Sequence, residues 1–318
     1  MTKILVCGTL AIDYLSRYPG AFASLPTHTS LNFSMQIEGL RREFGGCALN
    51  ICYSLKLLGD HPLPFVVAGR DYRDAYEAHL TTLGIDDSGV SVLESAPFSP
   101  HAFIFTDDAG NQLTGFFSGP SDQPDEADRL RAFVAHERPA YAVLAPDLPT
   151  KQIRCARLLA ELGVPFLCDP GQCLTDFSVA ETRDLIATTR HLILNRFEWD
   201  TVQRRLELDE AALVGRLEWV VVTHGAAGAV WQHADGRRIP VPAAAPRATV
   251  DPTGCGDAFR AGFVSAYVRR APIETALRCG ALAATINLET YGGQTHRFDD
   301  WPSRYRAAWG EPAPFALD

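Results

Sequence analysis

The sequence predicts an α/β fold, a mostly parallel central sheet flanked by helices on both faces, and three observations predict it. From about residue 140, short apolar runs recur at Tyr141–Leu144, Pro165–Cys168, Leu192–Leu194 and Trp219–Val222, most of them separated by helical stretches. Such alternation builds parallel strands covered on both faces. Polar or glycine residues follow three of these runs, at Asp169–Gln172, Asn195–Glu198 and Thr223–Gly228. All would share the carboxyl edge of the sheet, where such folds bind ligands. The third observation is a glycine turn, Gly254-Cys255-Gly256, opening a helical pattern with Phe259, Phe263 and Ala266 on one face.

The chain has 318 residues, enough for one large α/β domain with a small appendage. No clear linker or internal repeat divides it, so residues 1–318 are expected to form a single domain. Apolar residues make up 47%, enough for a substantial core. A net charge of -9 argues against a nucleic-acid partner, and no run of eighteen apolar residues marks a membrane span. The start, Met1 to Gly8, lacks the basic head and long apolar run of a signal peptide. Eight scattered cysteines without a C-x-x-C read as reduced thiols, and a cytoplasmic protein is expected.

Taken in order, residues 4–8 form the first strand. Thr9 and Asp13 follow it, at the ligand edge or in a surface turn. Residues 29–39 alternate, with Leu31, Phe33, Met35 and Ile37 on one face, which predicts a half-exposed strand. Gly45-Gly46 precedes a helix that stops at Gly59. Asn50 in its first turns faces either a ligand or solvent. Residues 101–106 and 112–117 read as a hairpin around Asp107–Asn111. These segments, from about 14–44 and 97–120, could pair as a small antiparallel sheet bearing exposed aromatics, a lid or a dimer surface. Residues 229–241 read as a further hairpin around Asp235-Gly236. A helix from Pro272 runs towards Asn287.

The chemistry centres on Val250–Phe263. A glycine turn entering a helix points backbone N–H groups at one spot, and the helix dipole adds to them, so the turn is an anion site. Asp257 would repel an anion there. It is either an N-terminal cap or a base that takes a proton from an attacking hydroxyl. Rival nucleotide motifs are absent. None of the three lysines follows a glycine, so there is no P-loop. Phe259 stands where a dinucleotide fingerprint needs its third glycine.

The string D-P-T-G-C-G-D-A-F-x-A-G-F resembles the C-terminal signature of the ribokinase-like sugar and nucleoside kinases. Gly45-Gly46-x-x-x-Asn50, Asn195-x-x-Glu198 and Thr223-x-Gly225-x-x-Gly228 resemble other motifs of that family. The resemblance implies a ribokinase-like fold, with Asp257 as base and the Gly254, Cys255 and Gly256 amides as anion hole. Asp13, Gly46 and Asn50 would hold sugar hydroxyls, with Thr9, Asn32 and Gly45 in the same subsite. Asn195, Glu198, Thr223, Gly225, Gly228 and Asn287 would serve ATP. Glu198 would hold Mg²⁺ through water, and Asp251 is the candidate ligand for a monovalent cation such as K⁺.

Within that family, Gly8–Asp13, Arg17–Gly20, Ser30–Phe33, Asp169–Gln172, Glu198–Asp200 and Asp251–Gly254 resemble the bacterial adenosine kinases. That resemblance implies phosphorylation of adenosine at its 5′-hydroxyl, as in purine salvage. The apolar strip of Leu31, Phe33, Met35 and Ile37, which one small sheet cannot easily bury alone, leads to the expectation of a homodimer through the lids. Phe103 and Phe116 would sandwich the base and Gln172 would bond it. The chain departs from the pattern at Asn32, where Ser is usual, at Cys173, where a second Gln is expected, and at Cys255, where Ala is usual. A sugar kinase would share every phosphoryl-transfer motif. A silent nucleoside-binding relative would not need Asp257, Asn195 and Glu198 intact.

Overall fold

The structure, a computed structural model, describes residues 2–25, 34–120, 123, 126–315 and 317. Along the chain, β1 (Lys3–Cys7) is followed by β2 (Ala11–Arg17) and β3 (Glu38–Gly45). Helix α1 (Cys47–Leu57), β4 (His61–Gly69), α2 (Tyr72–Leu83) and β5 (Val90–Leu93) come next, then β6 (His101–Thr106) and β7 (Gln112–Phe117). A regular alternation follows: α3 (Glu126–Glu137), β8 (Tyr141–Leu144), α4 (Pro149–Glu161), β9 (Phe166–Cys168), α5 (Val179–Thr188), β10 (His191–Asn195), α6 (Arg196–Leu206), α7 (Glu210–Val214) and β11 (Trp219–Thr223). The hairpin β12 (Ala229–His233) and β13 (Arg238–Val241) precedes α8 (Cys255–Val268), α9 (Ile273–Leu288) and α10 (Trp301–Trp309).

Nine strands form one sheet in the order β13-β12-β11-β10-β9-β8-β1-β4-β5. Its pairings are parallel except those of β12 with β11 and β13. The strands are apolar on both sides because both sides are covered. Ile4, Val6, Val143, Ile193 and Val221 face a core shared with α1, α2, α8 and α9. Leu5, Cys7, Leu144, Leu194 and Val222 face the opposite core, shared with α3 to α6. The alternation anticipated after residue 140 is therefore observed, with Tyr141–Leu144 matching end to end.

β4 is a strand the sequence reading does not place, since its two prolines argue against a central position. The register explains them. His61 donates its N–H to Thr2 O at 3.1 Å, so the odd residues turn their amides to β1. Pro62 and Pro64 turn their missing amides the other way, to a side β5 covers only from Val66 onward.

The second sheet, order β3-β2-β6-β7, is the lid. The 101–117 hairpin lies where the sequence puts it. Two of the three pairings are antiparallel, and the middle one, β2 with β6, is parallel. The strand expected at 29–39 is corrected. Residues 34–37 carry no strand, and β3 begins at Glu38. Leu31, Asn32 and Phe33 fall outside the described residues. No helix among those described is long and apolar enough to cross a membrane.

Candidate active site

The signature loop is built from behind. Gly254 caps α8 in a left-handed conformation (φ 78°). A Cβ there would lie 2.7 Å from Gly293 Cα, so only glycine lets the two segments pass. Asp251 staples the loop: its Oδ1 accepts from Thr253 N and its Oδ2 from Gly292 N, both at 2.9 Å. The amides of Gly254, Gly256 and Asp257 have no acceptor among the described residues, which leaves them free for an anion at the helix terminus. Cys255 differs from the expectation, because its amide closes a turn on Pro252 O at 3.2 Å. Burial pushes its thiol up rather than down, with the Asn287 amide opposing.

Asp257 is not the cap of α8. It is the third residue of the first turn and makes no capping bond. Its Oδ2 accepts from Asn50 Nδ2 at 2.8 Å, across 207 residues of chain. Asn50 is thus buried and aimed into the site, not at solvent. Burial pushes the Asp257 carboxyl up to about 6, while Asn50 and Arg260 hold it down. Asp13 sits within β2, paired with Glu43 and Ala102, and is buried rather than in a surface turn. Burial, then Asp257, Asp251 and Glu43, push it up to about 7. A Cβ on Gly45 would run into this carboxylate. One on Gly46 (φ 87°) would lie 2.6 Å from Thr9 O, so the paired glycines are steric necessities. Thr9 itself accepts the Ala48 amide at 3.1 Å and thereby seats α1.

On the edge expected to take ATP, Asn195 ends β10 and caps α6 in a reciprocal box. Its side chain accepts from Glu198 N at 2.9 Å, and Glu198 Oε2 accepts from Asn195 N at 2.8 Å. Glu198 is buried, and that burial raises its carboxyl. Thr223 ends β11 beside Asn195 in register. Gly225 (φ 56°) and Gly228 (φ 97°) shape the turn into β12. Asn287 is fully buried, and its Nδ2 donates to Thr253 O at 2.7 Å, so it supports the signature loop.

The aromatic sandwich is also corrected. Side chains alternate along a strand. In register, Phe103 lies opposite Tyr14 and Gly115, whereas Phe116 lies opposite Ala102, which pairs with Asp13. Phe116 therefore shares the face of Asp13, and Phe103 the opposite face, where it stacks on Tyr14 at 5.4 Å. Gln172 is exposed, with its Nε2 3.5 Å from Cys47 Sγ.

The sequence reading misses three groups. Arg260 is buried in α8. Its Nη2 donates to Asp169 Oδ1 at 2.6 Å, its Nε meets Asp169 Oδ2, and its Nη1 donates to Gly256 O at 2.9 Å. Gln294 and Tyr76 form a buried layer behind Asn50. Arg260 occupies an unassigned position of the signature string, and the other two carry no motif.

A carboxylate beside open amides at a helix start, on the carboxyl edge of an α/β sheet and under a lid, defines a phosphotransferase acting on a hydroxyl acceptor. The chain belongs to the pfkB family of carbohydrate kinases, whose family model matches residues 1–300. It is similar to the nucleoside kinase of Burkholderia thailandensis solved with inosine. The TM-score is 0.86 at 31% identity, covering 97% of this chain and 99% of that one. The nucleoside kinase of Methanocaldococcus jannaschii, described as an archaeal member of the ribokinase family, gives 0.83 at 29% identity, covering 96% and 99%. The fold is thus ribokinase-like. The cytidine kinase of Thermococcus kodakarensis is 38% identical over 299 residues, 92% of this chain and 98% of that one.

Proposed function

We propose that the protein is a nucleoside kinase that transfers the γ-phosphoryl group of ATP to a 5′-hydroxyl, with adenosine as acceptor. The observation that carries this reading is the Asp257 carboxylate, held by Asn50 beside the open amides of Gly254 and Gly256. Asp257 takes the proton of the 5′-hydroxyl as its oxygen bonds the γ-phosphorus. The bond from that phosphorus to the β–γ bridging oxygen breaks, and ADP leaves. Charge gathering on the phosphoryl oxygens meets the open amides.

Asp13 and Asn50 lie on the acceptor side, Asp13 as an acceptor for ribose hydroxyl protons. One relative is a nucleoside kinase solved with inosine and another is named a cytidine kinase, which supports a ribonucleoside here. Adenosine is the finer step. It rests on the strings shared with adenosine kinases and on Gln172 and Phe116 at the acceptor side. Among the described residues no cluster of three or more acidic, His or Cys groups could cage a metal. Glu198, buried at the sheet edge, would hold a phosphate-bound Mg²⁺ through water, and the ion would supply charge neutralisation there. K⁺ is proposed at Asp251, through lone pairs its two amide bonds leave free.

A homodimer through the lids is proposed from the outward lid face. Phe103, Leu113 and Phe117 alternate onto it and are 43%, 54% and 49% exposed. The test of the function is a panel of adenosine, inosine, cytidine, ribose and fructose with ATP and Mg²⁺, run on wild type and Asp257→Asn. Adenosine should be phosphorylated fastest, and Asp257→Asn should lose about 10²–10⁴-fold in kcat. Faster turnover of ribose or fructose would make this a sugar kinase. An Asp257→Asn variant of near wild-type rate would remove Asp257 from the chemistry.

A further inference from the structure

Behind Asn50 lies a chain of polar groups with one consistent direction. Gln294 is 6% exposed and has no titratable role of its own. Its Nε2 donates to Asn50 Oδ1 at 3.0 Å and to Tyr76 OH at 2.8 Å, using both amide hydrogens. Tyr76 in turn donates to Gly45 O at 2.6 Å, at the root of the lid strand β3. Gln294 Oε1 faces His79 Nε2 at 2.9 Å, and the His79 ring stacks on Phe44 of the same strand at 3.9 Å.

Two ends of this chain can only accept: the carbonyl of Gly45 and the ionised carboxylate of Asp257. Between two fixed acceptors one arrangement satisfies every group. Tyr76 must donate to Gly45, Gln294 must offer its nitrogen to Tyr76 and Asn50, and Asn50 must therefore turn Oδ1 inward and Nδ2 toward Asp257. The reverse orientation of Asn50 would set a carbonyl oxygen against a carboxylate. The backbone leaves room for this arrangement and no slack. A Cβ on Gly293 would sit 2.6 Å from Asn50 Cγ.

We infer that Gln294 is a positioning residue for the phosphoryl-transfer base: it locks the Asn50 amide in the orientation that donates to Asp257, and it ties that orientation to the root of the lid. The inference rests on Asp257 being the base. The groups facing Asp257 from its surroundings are Asp13 on β2, Cys47 on α1, Asp169 beyond β9 and Arg260 on α8, with Cys255 in its own loop. All of them stay in place when Gln294 is changed. The hydrogen bond from Asn50 favours the ionised Asp257 carboxyl, so losing that donation moves the carboxyl up.

The test is the pH dependence of kcat/KM for adenosine in Gln294→Met, Gln294→Glu, Tyr76→Phe and Asp257→Asn, with melting temperatures alongside. Gln294→Met should move the acid limb up by about one pH unit, a loss of about fivefold at pH 6 and about tenfold at pH 5 that closes above pH 8. Gln294→Glu is nearly isosteric and offers only acceptors when ionised. It should draw Asn50 Nδ2 away and move the limb at least as far, which keeps the test open should the Met variant fold poorly. Tyr76→Phe loses the lid-root bond but spares the bond to Asn50, so its limb should move less than that of Gln294→Met. An unmoved limb in both Gln294 variants, with Asp257→Asn inactive, overturns the positioning role alone. Equal limb shifts in Tyr76→Phe and Gln294→Met also overturn it, because a general loosening would then explain both. An active Asp257→Asn overturns the base and the relay together.

Discussion

Arg260→Met tests how this acidic site is held together. Arg260 and Asp169 are 6% and 1% exposed, and the guanidinium meets both carboxylate oxygens. Opposite charges about 4 Å apart attract by about 4 kcal/mol at an effective dielectric near 20. Burial nevertheless holds the Asp169 carboxyl above its ordinary value, so in the intact pair desolvation offsets much of that attraction. Removing one partner is a different perturbation. It strands a carboxylate without countercharge, at a typical cost of about 3–5 kcal/mol. At about 2–3 °C per kcal/mol for a chain of this size, the melting temperature should fall by about 6–15 °C. The pH dependence has a definite sign. With Arg260 gone, the folded pKa of Asp169 rises further above its unfolded value, so ionisation costs stability. The deficit is then full at pH 8 and shrinks as the pH falls through the folded value. Asp169→Asn in the Arg260→Met background removes the stranded charge and should recover most of the loss. Thermal melts from pH 5 to 8 on the single and double variants measure this as a double-mutant cycle. A drop of less than about 2 °C at pH 8 would refute the reasoning. So would a double variant no more stable than the single.

Asp13 and Asp257 carry folded pKa values of about 7 and about 6, both above the unfolded range, so their ionisation also costs stability. Asp13→Asn should therefore melt higher than wild type at pH 8, with the gain vanishing near pH 4; a lower melting temperature at pH 8 would count against the burial argument. The two lid aromatics should separate by face. Phe116→Ala should raise the KM for adenosine with the oligomeric state intact. Phe103→Ala should leave KM alone and weaken self-association in light scattering, and the reverse pattern would invert the assigned faces.

The large sheet was legible where strands are buried on both sides, because uniform apolar runs such as Leu192–Leu194 have no other comfortable place. The hairpin at 101–117 was legible from its turn residues. β3 was not. Its sequence, Glu-Gly-Leu-Arg-Arg-Glu-Phe-Gly, belongs to a lid strand exposed along most of its length, so charges stand where a core strand would show apolar residues. The apolar alternation just before it drew the expectation towards the N-terminal side. β4 was hidden by prolines, tolerated only because β5 starts late. Phe103 and Phe116 are a failure of another kind. Each is aromatic and near a lid, but only the register says which face each one takes.

At the site, the legible residues are those whose own backbone demands a residue type. Gly254 and Gly46 need positive φ, and the reciprocal cap at Asn195 and Glu198 needs that spacing of three. What stayed hidden is the layer behind them. Gln294 reaches Asn50 across 244 residues, and Arg260 reaches Asp169 across 91. Such contacts impose no local spacing, so no pattern along the chain records them. Both do what a first-layer residue cannot do for itself. Asn50 could turn either end of its amide toward Asp257, and the Gly256 carbonyl could swing and take the loop amides with it. Gln294 and Arg260 each remove one of those freedoms through a bond made on the far side. The motif thus names the groups that meet the substrate, while the direction in which they point is set by side chains to which it assigns no residue type.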